Sequence, residues 1–138
     1  RFTCKFTPDS TVTQSPLSMV KTFYRRAPQA DWAAVNPLLH PDFKIIESPA
    51  LPFSGQYQGL EGLKALGRTL VANYSRFEAT PQTFYEGSDG VIARVTLSAI
   101  VRDGGRSFDT EIAECFGFTE GLIREITPFY WDARLLQP

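Results

Sequence analysis

The 138-residue sequence predicts an α+β fold in which a strongly curved, mostly antiparallel sheet and three helices enclose a pocket. Two observations carry the prediction. The last third holds three long strand patterns, Val91–Val101, Phe108–Phe118 and Leu122–Trp131, joined by the turn sequences Asp103–Gly104–Gly105 and Glu120–Gly121. The first half instead holds three short helical patterns, and no repeat or second-domain linker separates the two parts. Helices first and a long-stranded meander last must share one interior, because each buries a single apolar face.

Residues 1–14, rich in Thr, Ser and Asp, carry no helical period and are expected to form an extended arm before one domain over 15–138. Ser15–Pro16 then supplies an N-cap and a residue whose fixed φ suits the first helical position. Leu17, Val20 and Tyr24 recur at spacings of three and four, so they share the inward face of a first helix that stops before Pro28. Asp31 caps a second helix, with Val35, Leu38 and Leu39 inward and Pro41 at its end. Phe43–Glu47 reads as a short strand, since Ile45 and Ile46 are β-branched and Pro49 closes the run. Ser48–Gly59 reads as a loop, and a loop of that length in a compact domain points to function. A third helix runs from about Leu60 to Tyr74, with Leu60, Leu63, Leu66, Leu70, Val71 and Tyr74 as its stripe. A strand near Thr83–Glu86 leads into the meander.

Composition removes several function classes. Lys plus Arg number 14 against 15 Asp plus Glu, a net charge of −1 with no basic block, so neither nucleic acid nor an acidic membrane is expected as a partner. No apolar run approaches the roughly 18 residues that span a bilayer, and a cytoplasmic location is the expectation. The first residue is Arg rather than Met, which reads as a trimmed N-terminus. Cys4 and Cys115 are too few and too far apart for a disulfide framework or a thiolate zinc site; two reduced thiols are expected, with a bridge from arm to strand as the alternative. His40 is the only histidine, which excludes a multi-histidine metal site, and its place after Leu38–Leu39 reads as a ring capping the end of a helix. No G-x-G-x-x-G, Walker A or G-x-S-x-G pattern occurs, so the pocket is expected to work without metal or cofactor.

Carboxylates and phenols remain. Period-two reading of Phe108–Phe118 puts Phe108, Thr110, Ile112, Glu114, Phe116 and Phe118 on one face, so Glu114 interrupts a mostly apolar surface. A carboxyl among buried aromatics loses solvation, its pKa rises, and it becomes a hydrogen-bond donor or general acid. The other reading pairs Glu114 with Arg94 or Arg124, or sets it at a solvated mouth. Tyr24, inward on the first helix, is the second candidate, with core packing as its plainer role. A phenol and a carboxylic acid converging on one oxygen would polarise a carbonyl or hold an enolate.

The run Phe43–Lys44–Ile45–Ile46–Glu47–Ser48–Pro49, continued by Leu51–Pro52–Phe53–Ser54–Gly55–Gln56–Tyr57–Gln58–Gly59 and Leu60–Glu61–Gly62, resembles the SnoaL-like branch of the NTF2-like superfamily. So does the ending from Phe118–Thr119–Glu120–Gly121–Leu122–Ile123 through Pro128–Phe129–Tyr130–Trp131–Asp132. The resemblance covers about residues 15–135 and implies a ketosteroid isomerase-like cone, often a homodimer through the sheet, in a superfamily of isomerases, polyketide cyclases, epoxide hydrolases, dehydratases and non-catalytic proteins. It sets Glu114 where the isomerases keep a protonated aspartate in the oxyanion hole, a case whose chemistry is well described. Tyr24, or Phe23 in a register one residue away, falls on the oxyanion-hole tyrosine, and Ser48 on the catalytic aspartate. Serine is no proton acceptor at neutral pH without help, so the pattern is broken there. Glu47 is expected to point away from Ser48 unless a bulge swings it inward. Trp131 and Asp132 match the aromatic–polar end of the last strand, where the superfamily lines its pocket; Asp132 supplies a base if it turns inward, and otherwise sits at a solvated strand end. Phe53, Tyr57 and Phe116 are expected as pocket walls, Phe116 also as plain core.

These readings combine into an acid–base enzyme of isomerase, cyclase or dehydratase type for a small apolar, carbonyl-bearing or polycyclic molecule. Its expected catalytic residues are Tyr24, Glu114, Asp132 and Ser48 with a held water, and its substrate contacts Phe53, Tyr57, Phe116 and Trp131. The alternative is a non-catalytic small-molecule binding or assembly module, favoured by Ser48 in the place of the aspartate. Adaptor use of the outer sheet face ranks last.

Overall fold

The computed structural model describes residues 14–138; the expected N-terminal arm and Cys4 lie outside them. Helix α1 spans Pro16–Arg26, with the Ser15 hydroxyl accepting from the Ser18 N–H at 3.1 Å and Pro16 in the first turn. It buries Met19, Val20 and Phe23, and Arg25 and Arg26 meet the negative end of its dipole. Asp31 caps α2 through the Ala34 N–H at 3.3 Å, but α2 is one turn, Trp32–Val35, followed by a 3-10 turn over Asn36–Leu38.

The expected helix end at Pro41 is therefore corrected: strand β1 begins at Leu39 and runs to Glu47. Leu38 and Leu39 are both buried, one closing the turn and the other opening the strand, and apolar spacing alone does not separate those cases. His40 accordingly caps no helix. Its Nδ1 accepts from the Asp42 N–H at 3.0 Å and its Nε2 lies 2.9 Å from Glu120 Oε1.

The long loop is also shorter than expected, because Gly55–Gln58 forms strand β2, antiparallel to β1 with Glu47 opposite Gly55. Helix α3 spans Gly59–Asn73 directly afterwards. A Cβ at Gly62 would lie 2.5 Å from the Tyr57 carbonyl carbon, so only glycine lets this helix start against β2. Leu66 is buried and Leu60, Leu63 and Leu70 pack beneath the helix, whereas Val71, expected in that stripe, is exposed.

Strand β3 covers Tyr74–Glu86, far more than the expected Thr83–Glu86. Pro81 lies inside it and the register with β4 shifts between Pro81 and Thr83. β3 is a sheet edge, which tolerates a residue lacking an N–H. β4 (Gly90–Val101), β5 (Ser107–Thr119) and β6 (Leu122–Tyr130) form the meander, with Glu120 and Gly121 both at positive φ, +55° and +78°, as a tight hairpin turn requires.

The six strands form one sheet in the order β2-β1-β6-β5-β4-β3, antiparallel except for β1 beside β6. Val91, Ala93, Val95, Leu97, Ala99 and Val101 alternate inward along β4. A final 3-10 turn, Ala133–Leu136, buries Leu136, and the Arg106 guanidinium holds the Leu135 and Gln137 carbonyls at 2.7 and 2.6 Å. No helix among the described residues is long and apolar enough to cross a membrane.

Candidate functional site

Period-two alternation places Glu114 on the concave face of β5, beside buried Phe116. Its cross-strand neighbours are Ala93 of β4 and Pro128 of β6, both short, which leaves the carboxyl room to stand above the sheet. Tyr24 descends from α1 and its hydroxyl donates to Glu114 Oε1. The phenol ring is fixed edge-on to Phe116, centroids 5.6 Å apart, with Phe23 at 6.1 Å and Phe84 at 6.2 Å. The alternative partner Arg94 lies elsewhere, its Nε 2.7 Å from Glu111 Oε1.

The pair closes one end of a cavity of about 450 Å³, a size suited to a small organic ligand. Its walls are mostly apolar, among them Phe23, Ile45, Leu63, Leu66, Phe116 and Ile126. Glu47 at the end of β1 and Tyr130 at the end of β6 also face it, as do Glu78 and Thr80 of β3. Glu47 is 5 % exposed, and its buried Oε1 has no hydrogen-bond partner among the described residues. An unsatisfied oxygen on a buried carboxyl is costly, which favours its protonated form.

Burial pushes the Glu47 carboxyl up to about 8, reinforced by the charge of Glu114. Burial also raises Glu114, against the Tyr24 hydrogen bond, which favours its charged form. Two carboxyls that repel each other in one cavity lose their protons in coupled steps. Tyr24 is raised by burial and by Glu114, and Tyr130 by burial and both carboxyls, so both phenols keep their protons at neutral pH. At that pH Glu47 still holds a proton that it is poised to release.

Tyr24, Glu114 and Phe116 thus come together as expected, and the other expected site residues do not. Ser48 lies beyond the end of β1, outside the cavity, and its hydroxyl accepts from the Ala50 N–H at 3.2 Å. Asp132 caps the final 3-10 turn and pairs with Arg134 at 2.9 Å, which lowers its pKa; it is no inward base. Trp131 is 87 % exposed, because Tyr130 takes the inward position and the next residue faces out. Phe53 is core behind the wall, edge-on to Phe77 and Tyr130 at 6.2 Å each, and Tyr57 donates to the Phe53 carbonyl at 2.8 Å instead of facing the cavity. Glu47 points inward without a bulge, since Phe43, Ile45 and Glu47 alternate as buried residues up to its pairing with Gly55. That alternation, visible in the sequence, was the signal for the missed carboxyl; Ile126, Pro128 and Tyr130 gave the same signal on β6.

A search among curated proteins finds no match to the sequence. Among solved structures, an NTF2-like protein from Burkholderia thailandensis is similar with a TM-score of 0.81 and 22% identity, over 91% of this chain and 100% of that one. TerC, co-crystallised with polyporic acid, is similar at 0.76 and 15% identity, over 87% and 93% of the two chains. A candidate SnoaL-like polyketide cyclase from Jannaschia sp. CCS1 is similar at 0.70 and 17% identity, over 91% and 92%. At these identities the likeness is one of fold, a curled sheet closed by helices. The family model for the SnoaL-like domain matches residues 20–126, through both strands that carry the two carboxyls, and the chain belongs to that family.

Proposed function

We propose that the protein is an acid–base enzyme of isomerase, cyclase or dehydratase type acting on a small apolar carbonyl compound. The observation that carries this is Glu47, a buried carboxyl with an unpartnered oxygen, facing the same apolar cavity as the Tyr24–Glu114 pair. Its carboxylate form removes a proton from the carbon beside the carbonyl, and the electron pair moves onto the carbonyl oxygen. Tyr24 donates to Glu114 Oε1, which leaves Oε2 to carry the acid proton toward that oxygen. The donor is fixed before charge develops, so no solvent must reorganise. Glu47 then returns its proton to another carbon, or to the alkoxide oxygen left when the enolate carbon closes a ring on a second carbonyl of the substrate, and the carboxylate is regenerated. A pKa near the working pH suits a group that both takes and gives a proton. The polyporic acid of TerC and the cyclase reading of the Jannaschia protein support the same substrate class.

Support for a non-catalytic module came from Ser48, and a carboxyl one residue earlier removes that ground. Deuterium incorporation from heavy water into a panel of apolar enolisable ketones, followed by NMR, tests the catalytic reading. Glu114→Ala is expected to slow exchange by about 10²- to 10³-fold. Tyr24→Phe, which leaves the acid in place but unoriented, should cost less. Ligand binding with no exchange above background, or exchange indifferent to Glu114→Ala, would overturn the reading.

We also propose a homodimer through the sheet. Tyr85, Ile92, Phe129 and Trp131 expose large apolar surfaces and line one shallow concavity on the side opposite the cavity, beside the Arg94–Glu111 pair. A patch of that kind marks an association site. Sedimentation should show a dimer that Trp131→Asp converts to monomer with an unchanged circular dichroism spectrum; a monomeric parent protein would sink the idea.

A further inference from the structure

Beyond Trp32 and Phe77 the cavity continues into an outer chamber of about 750 Å³. Ala27, Pro28, Trp32, Gly67, Leu70 and Phe77 line both, so one elongated molecule can occupy the two at once. Their electrostatics are opposite. The inner cavity presents Glu47, Glu78 and Glu114, whereas the outer chamber is lined by Lys64, Arg68, Arg76 and Arg102 and, among the described residues, by no carboxylate. Four of the 14 cations of a chain with net charge −1 thus converge on one vestibule.

Each cation has a distinct surrounding. Arg102 is occupied by the backbone, donating to the Val71 carbonyl at 2.8 and 3.0 Å and to the Tyr74 carbonyl at 3.2 Å. Arg76 pairs with Glu78 at 2.9 Å, and Lys64 lies 3.3 Å from Glu61 and 5.9 Å over the Trp32 ring. Arg68, one turn after Lys64 on the same face of α3, has no carboxylate partner among the described residues. Lys64 stays over the aromatic wall that separates the chambers, and Arg68 leaves a fork of donors for an incoming anion.

We infer that the outer chamber is an anion subsite and that the substrate is an amphiphile: an apolar, carbonyl-bearing part enters the inner cavity, and a carboxylate or phosphate group stays among Lys64, Arg68 and Arg76. The inference deepens the catalytic reading and rests on it for which end reacts. An anion in the inner cavity would lose its hydration among apolar walls and oppose the ionisation of Glu47, while at the mouth it meets cations, so the placement of charge fixes the direction of entry.

Calorimetric titration with four probes tests this: 2-naphthol, whose hydroxyl mimics an enolic oxygen, and 2-naphthols carrying a butyl chain that ends in a carboxylate, a phosphate monoester or a methyl ester. The charged probes are expected to bind about five- to tenfold more tightly than the ester, a gap that shrinks in high salt. Arg68→Ala combined with Lys64→Ala should close most of the gap while leaving 2-naphthol affinity within about twofold. The better of the two anionic probes identifies the group. Equal binding of charged and ester probes, or a gap that survives the double variant, overturns the subsite. Failure of the catalytic reading looks different, as 2-naphthol binding unaffected by Glu114→Ala.

Discussion

Glu47→Gln is expected to lower deuterium exchange into a bound ketone by about 10²- to 10⁴-fold, the loss typical of removing a positioned general base. The substitution keeps the volume of the side chain and a polar head, so the cavity and ligand affinity should change little while turnover falls. The pH profile gives a second readout. On the proposed mechanism the base is the carboxylate, so kcat/KM should rise with pH and level off above about 8, the value to which burial and Glu114 raise Glu47. Because the charge of Glu114 itself raises Glu47, the position of that limb reports the coupled pair rather than either residue alone. Glu47→Gln should remove the rising limb. A variant that exchanges within twofold of the parent protein, or that keeps that limb, would remove Glu47 from the reaction.

The parts legible in the sequence are those with an unbroken period. The stripe of α1 and the alternation of β4, β5 and β6 place Val20, Val95 and Phe116 in the core and make Glu114 conspicuous among apolar neighbours. Tyr24 was legible for the same reason, though its bond to Glu114 spans 90 residues and depends on how α1 crosses the sheet. β3 was concealed because it is an edge strand, where Pro81 and a polar run of Arg76, Glu78 and Gln82 cost little. Ser48, Trp131 and Asp132 entered through the resemblance rather than through the period of their own strands, and each is one residue or more from an inward position that Glu47 or Tyr130 holds. The cationic vestibule had no local pattern at all, since α3, β3 and the turn after β4 each contribute to it.

The carboxyl proposed as the base should also make the protein less stable in alkali. Glu47 titrates near 4.5 in an unfolded chain and at about 8 in the folded one. Between those values the native state holds a proton that the unfolded state has released, so stability falls as pH rises through the window and is level above it. The loss attributable to Glu47 is on the order of 5 kcal/mol, an upper figure for so dry a site. Glu114, also raised, acts in the same direction. Urea unfolding should therefore show a midpoint that drops between about pH 5 and pH 8, where surface carboxylates with lowered pKa, such as Glu111 and Asp132, are already fully ionised and add no slope. Glu47→Gln should flatten much of this decline and leave the variant more stable than the parent protein at about pH 9, though indistinguishable near pH 4. A parent protein whose stability is flat or rising over that range would mean that Glu47 is hydrated and that its proton is ordinary. A variant both more stable in alkali and nearly inactive would tie the two properties to one carboxyl, as expected of a functional group kept at a cost in stability.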